Sequence, residues 1–125
     1  MRSTLILIVV NASALQDGLL ALMTTIPQIG VVLVAEDQSS AMRMVDDHRP
    51  GLVVLDLDLS GKKTQALTAR LSAQSPPGQT IALADDSEQK EEAKTAGIDT
   101  VLLKGFSATE FVAAIEELIP IRRDD

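Results

Sequence analysis

Two charged residues, each placed directly after an apolar run, are the residues of this chain best suited to chemistry. Asp56 lies in HRPGLVVLDLDLSG and Lys104 in LLKGF. A carboxylate can accept a phosphoryl group or bind a cation, and an ammonium group can neutralise the charge of a transferred phosphoryl group. The first apolar run ends instead in Val10 and Asn11, which carry no charge. The pattern is that of a phosphoacceptor site whose metal-binding half is missing.

The composition restricts the classes of function. The chain has 125 residues and a formal net charge of −7. We expect a single domain over residues 1–125, since this length is typical of one domain. The acidity argues against nucleic-acid binding, which needs clustered Lys and Arg. The chain has no Cys, which excludes disulfides and cysteine nucleophiles. Because this is typical of a reducing compartment, we expect a cytoplasmic location.

The N-terminal apolar run is too short to be a signal peptide or a membrane span. It extends from Leu5 to Val10, whereas a signal peptide needs roughly 7 to 15 apolar residues and a membrane span about 20. We interpret the run as a buried strand. No other stretch approaches the length of a membrane span, so we predict no membrane association.

Five short apolar runs recur at nearly even spacing and alternate with segments of helical periodicity. The runs are LILIVV from Leu5, VVLVA from Val31, LVVL from Leu52, TIALA from Thr80 and VLL from Val101. Continuously apolar strands that alternate with helices predict a parallel sheet covered on both faces. We therefore predict an α/β fold with a doubly wound five-stranded parallel sheet, flavodoxin-like strand order 2-1-3-4-5 and helices on both faces.

The predicted fold indicates where a ligand site lies. Such sheets bind ligands outside the carboxyl ends of their strands, near the point where the strand order reverses. Asp58 follows Asp56 by two residues, so the period of two along a strand places both carboxylates on the same side. The residues predicted at this edge are Val10, Asn11, Asp56, Asp58, Ala84, Asp85 and Lys104.

Two acidic residues after the fourth apolar run have two interpretations. Asp85 and Asp86 can approach a cation at the sheet edge, but an acidic residue just before a helix more often caps it. We favour capping, with Asp86 or Ser87 as the N-cap. Before the final predicted helix, Ser107 and Glu110 have the spacing of a capping box.

Three segments resemble the receiver domain of two-component response regulators. ALQDGLLALM resembles the family's first helix, PGLVVLDLDLSG its phosphorylated strand and loop, and TAGIDTVLLKGFSATEF its fifth-strand segment. The resemblance extends from Leu5 to about Ile119 and implies the receiver fold. It also implies that Asp56 is the phosphoacceptor and that Lys104 binds the phosphoryl group.

The chain departs from the family pattern at the metal and switch positions. Val10 and Asn11 stand where the family has two acidic metal ligands, and an apolar side chain and a neutral amide are poor ligands for Mg²⁺. Ala84 replaces a Ser or Thr whose hydroxyl bonds the phosphoryl group. Val101 stands where the family often has a Tyr or Phe that moves on activation, and Gly105 where it usually has proline. The departures predict slow phosphoryl transfer and a weakened switch.

Two interpretations of Asp56 and Lys104 stay open. In the one that we favour, they form a partly buried ion pair left over from an ancestral site. In the other, they are a working phosphoacceptor site, where Asp58 supplies a replacement carboxylate and forms a weak metal site with Asp56.

We expect no enzymatic activity, because the sequence has no P-loop, dinucleotide-binding motif, nucleophile elbow or metalloprotease motif. The leading hypothesis is an atypical response-regulator receiver domain, or pseudo-receiver, that acts as a phosphorylation-independent protein-interaction module and needs no cofactor. The first alternative is a functional receiver, phosphorylated at Asp56 by a histidine kinase or phosphotransfer protein with Mg²⁺ bound. The second is a flavodoxin-like small-molecule sensor. The expected partner is a kinase, phosphotransfer protein, output protein or second copy of the chain, and not nucleic acid or membrane.

Overall fold

The computed structural model describes residues 4–60, 64–74 and 77–119, so the predicted domain limits 1 and 125 lie outside the described residues. The strands are β1 (Thr4–Val9), β2 (Ile29–Ala35), β3 (Leu52–Asp56), β4 (Gln79–Ala84) and β5 (Thr100–Leu103). The helices are α1 (Ser13–Met23), α2 (Gln38–His48), α3 (Leu57–Ser60), α4 (Thr64–Ser72), α5 (Ser87–Thr95) and α6 (Ala108–Leu118). Strands and helices alternate along the chain, as the apolar runs predict.

The five strands form one parallel sheet. Their order is β2-β1-β3-β4-β5, which confirms the predicted flavodoxin-like topology. The strand order reverses between β1 and β3, and β3 pairs with β4 as far as Asp56 and Leu83. Asp56 therefore ends the central strand at the edge where such sheets bind ligands.

Two apolar layers cover the sheet, one on each face. Leu7 and Val9 of β1 belong to the layer under α2, α4 and α5, whereas Ile6 and Ile8 belong to the layer under α1 and α6. The alternation follows from the period of two along a strand. Burial of each Leu or Ile side chain stabilises the fold by about 1.5–3 kcal/mol. Helices on both faces explain why the strands are continuously apolar.

The N-terminal run is a strand of this sheet, as predicted, and its side chains from Ile6 onward are buried. None of the helices in the described part of the chain is long and apolar enough to cross a membrane. The one-turn helix α3 was not predicted. It contains Asp58, so the argument that placed Asp58 beside Asp56 by the periodicity of a strand is wrong.

Both predicted caps are present and fix the loops that follow β4 and β5. The Asp86 carboxylate accepts a hydrogen bond from the Gln89 N–H at 2.9 Å, which makes Asp86 the N-cap of α5. Ser107 Oγ accepts from the Glu110 N–H at 3.1 Å, and the Ser107 N–H donates to Glu110 Oε1 at 3.2 Å. This reciprocal pair is the capping box of α6.

Arg49 ends α2 in the left-handed region, with φ of 49°. This conformation costs an L-residue roughly 1–2 kcal/mol, and a glycine at this position would remove that strain. Glycine has greater freedom in the unfolded chain, however, which offsets about 0.5–1 kcal/mol of the gain. We expect Arg49→Gly to raise the free energy of unfolding by about 0.5 kcal/mol. Urea denaturation measures the change. Arg43→Gly, within α2, should instead lower stability by about 1 kcal/mol, and a loss in both variants would contradict the strain at Arg49.

Candidate functional site

One ammonium group at the carboxyl edge of the sheet contacts three carboxylates. Lys104 Nζ lies 2.9 Å from Asp56 Oδ1, 2.9 Å from Asp58 Oδ2 and 2.8 Å from Asp85 Oδ1. A lysine ammonium has three N–H donors, so each donor has a carboxylate partner. We call these four residues the lysine cluster.

The fold brings the lysine cluster together from three strand ends. Asp56 is the last residue of β3 and Asp58 lies in α3, whose Asp58 N–H donates to Asp56 Oδ1 at 3.0 Å. Asp85 follows β4 directly, and Lys104 follows β5. The Lys104 N–H donates to the Ala84 carbonyl at 2.8 Å, which extends the β4–β5 pairing to the lysine. The sequence correctly predicted these residues at one edge.

Burial differs sharply among the members of the lysine cluster. The Asp56 side chain is 9% exposed and that of Lys104 27%, whereas those of Asp58 and Asp85 are 49% and 44% exposed. Asp56 is therefore the inner carboxylate, and the other two face solvent. With three carboxylates and one ammonium, the ionised cluster has a net negative charge, so it attracts cations rather than anions.

The contacts within the cluster shift two pKa values. The hydrogen bond from Lys104, followed by those with Gln89 and Asp85, lowers the pKa of Asp58 to about 2. Burial by itself lowers the pKa of Lys104, but its hydrogen bonds to Asp85, Asp56 and Asp58 outweigh burial and raise that pKa above its usual value. Asp58 and Lys104 are therefore both charged at neutral pH.

Gln89 is a member of the site that sequence reasoning missed. Its Oε1 accepts from the Asp85 N–H at 2.7 Å, and its Nε2 donates to Asp58 Oδ1 at 3.0 Å. A signal was present in the sequence, because Gln89 stands three residues after Asp86, where a capping box has Glu or Gln. Here the amide reaches past the cap and connects α5 to the lysine cluster.

We expect Gln89→Leu to lower the free energy of unfolding by about 1 kcal/mol, because two hydrogen bonds at a partly exposed site are lost. The pKa of Asp58 should rise from about 2 towards its ordinary value of 3.8. Urea denaturation and a carbon-13 carboxyl NMR titration measure the two effects. Gln65→Leu, at an exposed position of α4, is the matched control. An unchanged Asp58 pKa would rule out the proposed role of the amide.

The residues at the predicted metal positions do not fit the Mg²⁺ site that the family resemblance implies. Val10 is fully buried and has no ligand atom in its side chain. Asn11 is exposed, and its Nδ2 donates to the Glu36 carbonyl at 3.3 Å. Within the ranges that the structure describes, no group of three or more His, Cys, Asp or Glu side chains could hold a metal ion. The weak metal pair Asp56 and Asp58 stays a prediction.

The predicted switch positions are also built differently from the family pattern. Ala84 is fully buried and Val101 is 8% exposed, and neither side chain can form a hydrogen bond. Gly105 has φ of 96°, which proline cannot adopt because its ring fixes φ near −65°. Phe106 follows and stacks on Phe111, with 5.6 Å between the ring centroids. The loop after Lys104 therefore has a conformation that excludes the family's usual proline.

A cavity of about 670 Å³ lies beside the lysine cluster, between α1 and the loop after β5. Asp56 and Lys104 both contribute to its wall. The apolar side chains that line it are Leu15, Leu19, Leu22 and Phe106, together with Ala12 and Ala14. The cavity gives the inner carboxylate an opening to solvent through a largely apolar wall.

Comparison with known families identifies the fold described above. The family model for the response regulator receiver domain matches residues 6–116. The chain belongs to the response regulator receiver family. No curated protein matches this receiver domain in sequence.

Solved structures agree with this assignment. A two-component response regulator of the LuxR family from Aurantimonas sp. SI85-9A1 is 24% identical with a TM-score of 0.80, covering 93% of this chain and 84% of that one. A response regulator receiver protein from Burkholderia phymatum is 19% identical with a TM-score of 0.79, covering 96% and 98%. The receiver domain of sensor histidine kinase PA1611 from Pseudomonas aeruginosa PAO1, solved with a magnesium ion in its active site cleft, is 21% identical with a TM-score of 0.77, covering 93% and 97%. These similarities show the shared fold.

Proposed function

We propose that this receiver domain is an atypical, pseudo-receiver subtype that acts in two-component signalling as a protein-interaction module independent of phosphorylation at Asp56. One observation carries the proposal: Lys104 Nζ lies within 2.9 Å of all three carboxylates of the cluster. Because an ammonium has only three donors, binding a phosphoryl group would break at least one of these contacts.

The charge of the cluster also supports the proposal. A phosphoryl group carries about −1.5 to −2 charges at neutral pH, and on Asp56 it would stand beside Asp58 and Asp85. Transfer of such a group normally relies on cations and hydrogen-bond donors that neutralise its charge. At positions 10, 11 and 84 this chain supplies Val10, Asn11 and Ala84, which offer no carboxylate ligand and no hydroxyl. A signal in this domain therefore comes from the binding of a partner.

The expected partner is a protein: a kinase, a phosphotransfer protein, an output protein or a second copy of the chain. In receiver domains, the face that corresponds to α5, β5 and α6 is a common surface for binding partner proteins, and the family resemblance implies the same for this chain. In this chain Leu103, at the end of β5, is 40% exposed, and burial of its side chain would favour association. We infer that this domain has no enzymatic activity and binds neither nucleic acid nor membranes. We also infer a cytoplasmic location.

A functional phosphoacceptor at Asp56 is the second candidate. The observation in its favour is that Asp56 lines the cavity of about 670 Å³ beside α1, so a phosphodonor has a route to the carboxylate. In this case Lys104 would leave Asp58 or Asp85 to contact the phosphoryl group.

Treatment with a small-molecule phosphodonor separates the two candidates. The domain is incubated with acetyl phosphate and Mg²⁺, and its intact mass is measured beside that of Asp56→Asn and of a receiver that retains the acidic pair. We expect no phosphoryl adduct on either the wild type or Asp56→Asn, and an adduct only on the conventional receiver. A stoichiometric adduct that requires Asp56 would establish the second candidate.

A further inference from the structure

A groove separate from the lysine cluster runs between α2 and α4. Two cavities of about 570 and 380 Å³ adjoin there, because Ala66 and Arg70 line both of them. Ala66, Ala69 and Ala73 form one side, where their small side chains leave room between the helices. None of the residues that line the groove belongs to the lysine cluster.

The charge of the groove is opposite to that of the chain. Among the described residues that line it, Arg43, Arg49 and Arg70 are basic and Asp46 is acidic, although the net charge of the whole chain is −7. Guanidinium groups bind carboxylates through paired N–H donors, and they are the cations best suited to this geometry. The groove is therefore complementary to an acidic occupant.

An ion pair inside the groove does not close it to such an occupant. Arg70 contacts the Asp46 carboxylate. The two side chains are 46% and 52% exposed, and ion pairs between exposed side chains are weak because water screens them. A carboxylate from a partner can therefore bind Arg70 together with Asp46, or displace Asp46 from Arg70, at little cost in free energy.

The residue type at position 49 is a second, independent observation. Arg49 has a left-handed backbone, where glycine is the favoured residue. Helix termination therefore does not account for an arginine at this position. Its side chain lines the groove, so anion recognition gives a reason for this residue type.

The dimensions of the groove suit a peptide. The eleven residues of α2 span about 16 Å, which matches about five residues of extended chain. Arg43 and Arg49 are six residues apart, or roughly 9 Å along the helix axis. Side chains two residues apart in an extended peptide lie on the same face and are separated by roughly 7 Å, so two acidic residues at this spacing can reach the long side chains of both arginines.

We propose that the groove between α2 and α4 docks an extended acidic segment of a partner protein. This interaction goes beyond the proposed function and does not depend on the state of Asp56. The alanine side accommodates the peptide backbone, and Arg43, Arg49 and Arg70 pair with acidic side chains two residues apart.

An NMR titration tests the proposal. The probe is the capped peptide acetyl-AEAEAE-amide, added at millimolar concentration to nitrogen-15-labelled full-length chain, and the control peptide is acetyl-AQAQAQ-amide. We expect saturable amide shifts along α2 and α4 with the acidic peptide alone, and weaker binding at higher salt. Arg49→Gly and Arg70→Gln should each weaken binding by about fivefold, and Lys94→Gln, on α5, should leave it unchanged.

The variants separate recognition from folding. Since Arg49→Gly is expected to be at least as stable as the wild type, weaker binding by this variant cannot result from unfolding. Three results would overturn the proposal: no shifts with the acidic peptide, equal shifts with the glutamine peptide, or equal affinity for free glutamate. The last result would make the groove a site for small anions. Failure of this test leaves the behaviour of Asp56 toward phosphodonors unaffected, so the two proposals fail separately.

Discussion

Replacement of Lys104 by methionine should lower the free energy of unfolding by roughly 2 kcal/mol at neutral pH. The substitution keeps an aliphatic side chain but removes a cation that contacts Asp56, Asp58 and Asp85. The loss lies between the small value of an exposed ion pair and the 3–5 kcal/mol of a buried one, because Asp56 is buried while the other carboxylates face solvent. Urea denaturation measures the loss.

The pH dependence of this loss identifies its cause. In the wild type, the pKa of Asp58 is lowered to about 2 from 3.8, so its contribution to stability is present above the higher value and is lost as the pH falls towards the lower one. The raised pKa of Lys104 contributes stability below the ordinary lysine pKa of 10.5, and this stability is lost as the pH rises through the pKa of the folded state. The difference in the free energy of unfolding between wild type and Lys104→Met should therefore be largest between these two pKa limits. It should decrease as the solution becomes acidic.

Lys94→Met is the matched control for this prediction. Lys94 is an exposed lysine near the end of α5, where a cation contributes about 0.3–1 kcal/mol through the helix dipole. Its replacement should cost no more than that. If the loss in Lys104→Met were equally small, or did not change with pH, the lysine would not hold the carboxylates together.

Restoring the acidic pair should give the domain a magnesium site. We expect Val10→Asp combined with Asn11→Asp to tighten Mg²⁺ binding by at least about tenfold, or roughly 1.4 kcal/mol. Two added carboxylates supply the oxygen ligands that Mg²⁺ prefers and compete with Lys104 for the cluster. Isothermal titration calorimetry measures the affinity, and Mg²⁺ should also raise the melting temperature of the variant, because it binds the folded state.

Asn11→Asp alone is the safer variant, since Asn11 is exposed whereas Val10 is fully buried. A buried carboxylate without a cation destabilises a fold, so the double variant is expected to be less stable than the wild type in the absence of Mg²⁺. Adding Asp56→Asn to either variant should remove the gain. Wild-type protein that bound Mg²⁺ as tightly as the variants would show that Val10 and Asn11 are not the cause of the deficit.

The fold follows closely from the apolar runs of the sequence. The run LVVL from Leu52 corresponds to β3 (Leu52–Asp56), and TIALA from Thr80 to β4 (Gln79–Ala84). Continuous apolar runs are decisive here because the inner strands β1, β3 and β4 are covered on both faces. The helix α3 was missed, since four residues that include an aspartate and a serine have no helical periodicity to detect.

The site was predicted in position but only partly in its contacts. The positions of the strand ends predict that Asp56 and Lys104 lie close together. Capping rules predicted Asp86 or Ser87 as the N-cap of α5, and Asp86 is the N-cap. Those rules gave no role to Asp85, which contacts the Lys104 ammonium instead. Gln89 was missed although its capping-box spacing from Asp86 was visible, because that spacing does not show that the side chain reaches Asp58 in α3. The positive φ of Arg49 was missed because arginine does not favour that conformation.

Amide proton–nitrogen NMR spectra of the isolated domain, recorded with added Mg²⁺ and then beryllofluoride, test the central proposal most directly. Beryllofluoride imitates a phosphoryl group on aspartate, and the absence of Trp and Tyr leaves no intrinsic fluorescence to monitor binding. We expect the wild type and Asp56→Asn to respond alike to each addition, with the amide signals of Ala84 and Lys104 unmoved. Saturable shifts that require Asp56 and extend into β5 would contradict the central proposal and establish a phosphorylation-driven switch.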